Sequence, residues 1–200
     1  ILLLVTVYLS LKQQALYLAM LALSMAYLAP LVIPQNHPDV VFLFAYYLLI
    51  NLAVAAVNFI QPWKILHQIA FFATMFIGGA VIGIYAKTQQ FTILDWILWL
   101  HIALFIWLSV RYSQLMLRVK NHDLNLNQDT GQKTQRLQPI LDVGLIFSVP
   151  VLGFSLHAYL MHNSTQAMTL GAVALAIVYI SLNLWIKRQH PQLSILAKSF

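Results

Sequence analysis

Six stretches of about 20 largely apolar residues follow one another along this chain, and no other feature constrains its fold as strongly. They run over residues 14–33, 40–61, 65–86, 93–112, 140–160 and 167–186. In hydrocarbon each backbone amide and carbonyl must be satisfied within its own segment, so stretches of this length predict membrane-crossing helices. Residues 1–11 are apolar but short and open on Ile1, which reads as the remaining part of a seventh, truncated helix. The sequence therefore predicts an all-α, polytopic transmembrane helix bundle of about seven spans over residues 1–200, an internal fragment of a longer chain whose other helices, with the lipid bilayer, are its expected partners.

Composition enters here as an exclusion. Charged residues make up 8% of the 200, where soluble domains carry about 25%, so a soluble enzyme, a disordered tail and a secreted disulfide module are all ruled out. There is no cysteine, which removes thiol nucleophiles, cysteine-zinc sites and iron–sulfur clusters. All five acidic residues are aspartate, which removes every glutamate-dependent motif.

Basic residues set the expected orientation, because Lys and Arg are retained on the cytoplasmic side. Ten of the eleven lie in odd-numbered connections or after the last span, and Lys87 alone lies on the other side. This places 113–138 in the cytoplasm as a polar loop, accounts for the net charge of +6, and gives no reason to invoke nucleic acid. Trp63, Trp107, Tyr112 and Trp185 then fall at cytoplasmic span ends and Tyr85, Trp96 and Tyr159 at outer ends, as expected of interfacial aromatics. Within 118–138 the density of Asn, Gln, Asp, Thr and Gly favours turns or disorder, and His122 beside Asp123 has no further metal ligand at a diagnostic spacing.

Four features within spans could carry chemistry, since polar side chains in hydrocarbon face the interior or a cavity. Tyr47, Asn51, Ala55 and Asn58 share one helical face, and interhelical hydrogen bonding is the preferred reading over a substrate site. Gly79 and Gly83 form a small-xxx-small pattern expected at a helix contact; no strand precedes them and no Lys follows as a phosphate loop would require. His101 lies deep in the 93–112 span, and a neutral ring bonded to a neighbouring helix is preferred over a proton relay. Asp142 opens the 140–160 span ahead of Pro150, which frees the carbonyl of Ile146 four residues earlier. An N-terminal cap and an anion or proton site are nearly balanced for Asp142, with a slight lean to function. His157 is about 22 Å away along the same helix, so the two are not one acid–base pair. No catalytic triad, nucleotide loop, paired carboxylate, metal site or cofactor site is defensible from spacing, and the catalytic residues are unknown.

Two stretches resemble a known family. Tyr27-Leu-Ala-Pro-Leu, Phe44-Ala-Tyr-Tyr-Leu-Leu-Ile-Asn-Leu, Trp63 and Phe76-Ile-Gly-Gly-Ala, then Leu141-Asp-Val-Gly-Leu-Ile-Phe-Ser-Val-Pro-Val-Leu-Gly-Phe-Ser-Leu-His, are similar to the bacterial predicted-membrane-protein family catalogued as domain of unknown function 2339. Leu193-Ser-Ile-Leu-Ala-Lys-Ser-Phe resembles that family's continuation into another span. The resemblance implies a longer multi-pass protein of the bacterial inner membrane, with no catalytic residue to carry over. Asp142 and Pro150 match the family pattern; Met25 and Ala26 replace a usual glycine pair, Ser148 a glycine and His157 a glutamine. A transport or lipid-handling domain is the leading expectation. A transferase on a lipid-linked substrate would need outer-face carboxylates, for which only Asp39 and Asp95 are placed, and a non-catalytic scaffold is the third reading.

Overall fold

The computed structural model describes residues 16–32, 39–60, 63–127 and 140–189. Every regular element among them is a helix: α1 (Leu16–Val32), α2 (Val40–Ile60), α3 (Lys64–Tyr85), a 3-10 turn (Thr88–Gln90), α4 (Phe91–Asn127), α5 (Ile140–Leu160) and α6 (Thr165–Gln189). Four of these contain segments long and apolar enough to cross a membrane, Val40–Phe59, Lys64–Tyr85, Thr88–Tyr112 and Thr165–Arg188, while Leu16–Val32 and Leu145–Leu160 are shorter apolar helices. The six full stretches read from hydropathy thus all reappear as helices, and the seventh, 1–11, lies outside the described residues. The sequence reads as one bundle; the structure divides it into two compact units, Ile1–Phe105 and Ile106–Phe200.

Helix starts follow local chemistry. The Asp39 carboxylate accepts hydrogen bonds from the amides of Val41 at 3.0 Å and Phe42 at 3.2 Å, capping α2. Ser164 does the same for α6, its hydroxyl accepting from the Ala167 amide at 3.3 Å. Between α3 and the 3-10 turn, the Lys87 amide donates to Gln90 Oε1 at 3.2 Å and the Gln90 amide returns to the Lys87 carbonyl at 2.8 Å.

The 113–138 loop needs correction at its first half, because α4 stays helical to Asn127. Polar composition misleads here: from Phe91 to Asn127 there is neither Pro nor Gly to stop propagation, and each residue added to an existing helix gains a bond without a new nucleus. Residues 128–139 lie outside the described ones.

In the first unit α1, α2 and α3 pack on one another, and α4 joins them through rings, Phe71 to Phe105 at 5.2 Å edge to face and Phe44 to His101 at 4.6 Å. Along α2 the buried face is Phe44, Tyr47, Asn51, Ala55 and Asn58, while Phe42, Leu49, Leu52 and Phe59 point outward. Exposed apolar stripes of this kind suit hydrocarbon, which solvates them as well as protein does.

Six residues of α3, Ala73–Gly78, form a π-helical segment between α-helical turns Lys64–Phe72 and Gly79–Tyr85. In the second unit α5 and α6 make a hairpin, and the α6 span is only 11% buried against 44% for α2.

Candidate functional site

Two prolines inside helices leave backbone carbonyls without amides, and tyrosines answer both. Pro30 cannot donate to the Ala26 carbonyl four residues back; the Tyr46 hydroxyl donates to it at 3.1 Å. Next to it the Tyr47 hydroxyl donates to the Tyr27 carbonyl at 2.9 Å. In the second unit Pro150 cannot donate to Ile146, and the Tyr179 hydroxyl donates to that carbonyl at 2.9 Å. The expected freeing of the Ile146 carbonyl by Pro150 is therefore matched by a partner from α6, and α5 remains helical across the proline.

The polar residues of α2 separate into two kinds. Asn51 is fully enclosed and hydrogen-bonded at both ends of its amide: its Oδ1 accepts the Tyr27 hydroxyl, and its Nδ2 donates to Thr74 Oγ1 at 2.9 Å. Thr74 in turn donates to the Ala70 carbonyl at 2.8 Å, immediately before the π segment. The chain Tyr27–Asn51–Thr74–Ala70 ties α1, α2 and α3 together, which gives Asn51 a structural role. Asn58, on the same face and 8% exposed, has neither Nδ2 nor Oδ1 in a hydrogen bond. An unpaired amide in this setting costs about 1–3 kcal/mol, so Asn58 is a group in want of a partner.

His101 is the other such group. Its Nδ1 lies 2.8 Å from the Ile97 carbonyl and must carry the hydrogen, because a carbonyl only accepts. In the neutral ring Nε2 is then a bare acceptor, and this atom is buried with no hydrogen-bond partner. The expectation of a ring bonded to a neighbouring helix gives way to a bond within α4 itself, one turn back, which fixes the tautomer and aims Nε2 away from its own helix. Phe44 at 4.6 Å and Phe105 at 6.5 Å flank the ring.

His101 and Asn58 do not form one site. Contact with Phe44 puts His101 level with the early turns of α2, and Asn58 lies about 21 Å further along that axis at 1.5 Å per residue. Asn51 and Thr74 lie between them. Asp142 sits in the first turn of α5 by its backbone. Among the described residues no three His or Asp side chains gather as a metal site would need.

The packing glycines differ from the pair read from spacing. A Cβ built at Gly83 meets nothing within 4 Å, whereas one at Gly78 comes 3.1 Å from Phe44 and 3.4 Å from Tyr47. Gly79 is half-buried beside it. Spacing missed Gly78 because the π segment rotates everything beyond it relative to an ideal α-helix. Gly171 was also missed: a Cβ there would lie 2.6 Å from His157 Cδ2, and the His157 Nε2 hydrogen bonds the Ala167 carbonyl at 3.2 Å. The sequence signals that could have found more were the carbonyls four residues before Pro30 and Pro150, and tyrosines on the following span.

Comparison with known proteins adds one match. A family model described as "Predicted membrane protein (DUF2339)" matches residues 1–200. No curated protein and no solved structure matches the chain.

Proposed function

We propose, from the premise that the chain belongs to the predicted-membrane-protein family DUF2339, that it is a multi-pass transport or lipid-handling domain of the bacterial inner membrane. The observation that carries this reading is the bare, enclosed Nε2 of His101. A polar group deep in a span is retained at a cost unless it meets something, and intramembrane ionisable residues commonly mark a substrate or ion path. Asn58, nearer the other end of the same bundle face, is a second unmet group along that line. One interrupted helix supports movement, α3 at its π segment; Pro30 and Pro150 lie within α1 and α5, which stay helical across them. Interrupted helices are the usual way in which transporters expose backbone and side-chain groups at depth.

A scaffold reading accounts for the hydrogen-bonded Tyr27–Asn51–Thr74 chain but leaves His101 and Asn58 without a purpose. The transferase reading loses Asp39, which is engaged as the α2 cap. Asp142, in the first turn of α5 in the second unit, is kept as a separate candidate. The test uses the chain in liposomes carrying a fluorescent phospholipid and an internal pH dye. Lipid exchange between leaflets or proton flux above that of empty vesicles, reduced in His101→Leu, is expected. Rates equal to empty vesicles in both assays, or equal rates in wild type and variant, would overturn the proposal.

A further inference from the structure

The π segment Ala73–Gly78 is held by α2 at both ends. At its start Asn51 Nδ2 grips the Thr74 hydroxyl at 2.9 Å, and at its end Phe44 lies against Gly78, 3.1 Å from where a Cβ would stand. Phe44 also meets the His101 ring, 4.6 Å between centroids. One aromatic side chain therefore links the irregular turn of α3 to the bare nitrogen of α4.

A π turn holds one residue more than an α turn, so between fixed helix ends it can move along the helix but cannot simply disappear. Each residue it passes rotates by about 100°. Movement toward the start of α3 would turn Phe71, which is fully buried against Phe105. Movement toward the end of α3 would first turn Gly79, which is half-buried, and Ala80, which is exposed, before it reached Val81 and the fully buried Ile82. Sliding is blocked in one direction by the packed Phe71 and has room in the other only across Gly79 and Ala80, with Ile82 as its stop.

We propose that Ala73–Gly78 is a sliding π segment whose displacement by one or two residues, onto Gly79 and Ala80, withdraws Phe44 from His101 and opens Nε2 as the binding site for a small polar solute that donates a hydrogen bond. The chemistry follows from the tautomer: Nδ1–H is committed to the Ile97 carbonyl, so Nε2 can only accept, and a hydroxyl- or amine-bearing solute matches it. The rest state is closed because Thr74 is latched and Phe44 is wedged, and His101 is then 0% exposed. This names the gate and the solute chemistry of the transport reading given above and rests on it.

The test reads His101 directly, by the rate of its carbethoxylation with diethyl pyrocarbonate in the detergent-solubilised chain, resolved by peptide mass. His67, buried on α3 ahead of the π segment, is the internal reference. Thr74→Val removes the latch at constant shape and should raise the His101 rate about tenfold, equivalent to about 1.4 kcal/mol in an opening equilibrium, with His67 unchanged. Thr74→Ala removes the same latch and serves if the valine variant does not fold, while Gly78→Ala, which presses on Phe44 with the latch intact, should not raise the rate. An unchanged His101 rate in a folded Thr74 variant, or an equal rise at His67, would overturn the gate. Vesicle flux lost while the reactivity pattern holds would defeat the transport reading alone, and flux retained without the pattern would defeat the gate alone.

Discussion

The Tyr179 hydroxyl donates at 2.9 Å to the Ile146 carbonyl, the acceptor that Pro150 leaves without its intrahelical amide. The same device recurs in the first unit, where Tyr46 answers the carbonyl that Pro30 abandons at Ala26. A proline in hydrocarbon is tolerable when the freed carbonyl finds a donor, and here each donor comes from the next described helix.

This relationship predicts strong coupling. Tyr179→Phe should cost about 0.6–1.7 kcal/mol, the range for interhelical hydrogen bonds in membranes. Pro150→Ala restores an amide for Ile146, so in that background Tyr179→Phe should cost close to nothing. Thermal unfolding in detergent across the four-member cycle checks this, and additive effects would show that the hydroxyl serves another purpose.

The two asparagines of α2 should respond with opposite signs. Asn51→Leu strands the Tyr27 hydroxyl and unlatches Thr74, and should destabilise by about 1–3 kcal/mol. Asn58→Leu removes an amide that has no hydrogen-bond partner and should be neutral or stabilising. Paired melting curves decide it; a large loss in the Asn58 variant would reveal a partner for that amide.

Glycine tolerance should follow the contacts. Gly171→Ala drives a methyl into the His157 ring and should cost about 1–3 kcal/mol as overpacking does. The cost should vanish in a His157→Ala background. Gly83→Ala should leave the melting temperature unchanged, or raise it through the better helix propensity of alanine.

Orientation can be read without background, since the chain contains no cysteine. A cysteine replacing Asn163, in the exposed turn between α5 and α6, should react with an impermeant maleimide added to intact cells. One replacing Asn125, in the extension of α4, should react only after lysis. The reverse pattern would contradict the positive-inside assignment.

What the sequence determined by itself is the set of helices and their solvent. Hydropathy and length belong to a segment alone, so 40–61 or 167–186 could be read without knowing any neighbour, and Pro150 pointed to the Ile146 carbonyl because that link runs within one helix. The helical extension to Asn127 escaped because polarity reports the solvent of a residue and not its backbone conformation.

Only the tertiary structure decided which polar group is in use. Asn51 and Asn58 are the same residue type, two turns apart on one face, and sequence gives both the same reading. One meets a tyrosine from α1 and a threonine from α3, and the other meets no hydrogen-bond partner. Likewise Gly78 outranks Gly83 because a π segment, itself held by Asn51, changes which side of α3 faces Phe44. Hydrogen-bond satisfaction and close approach depend on atoms brought from other helices, and one-dimensional spacing carries no term for them.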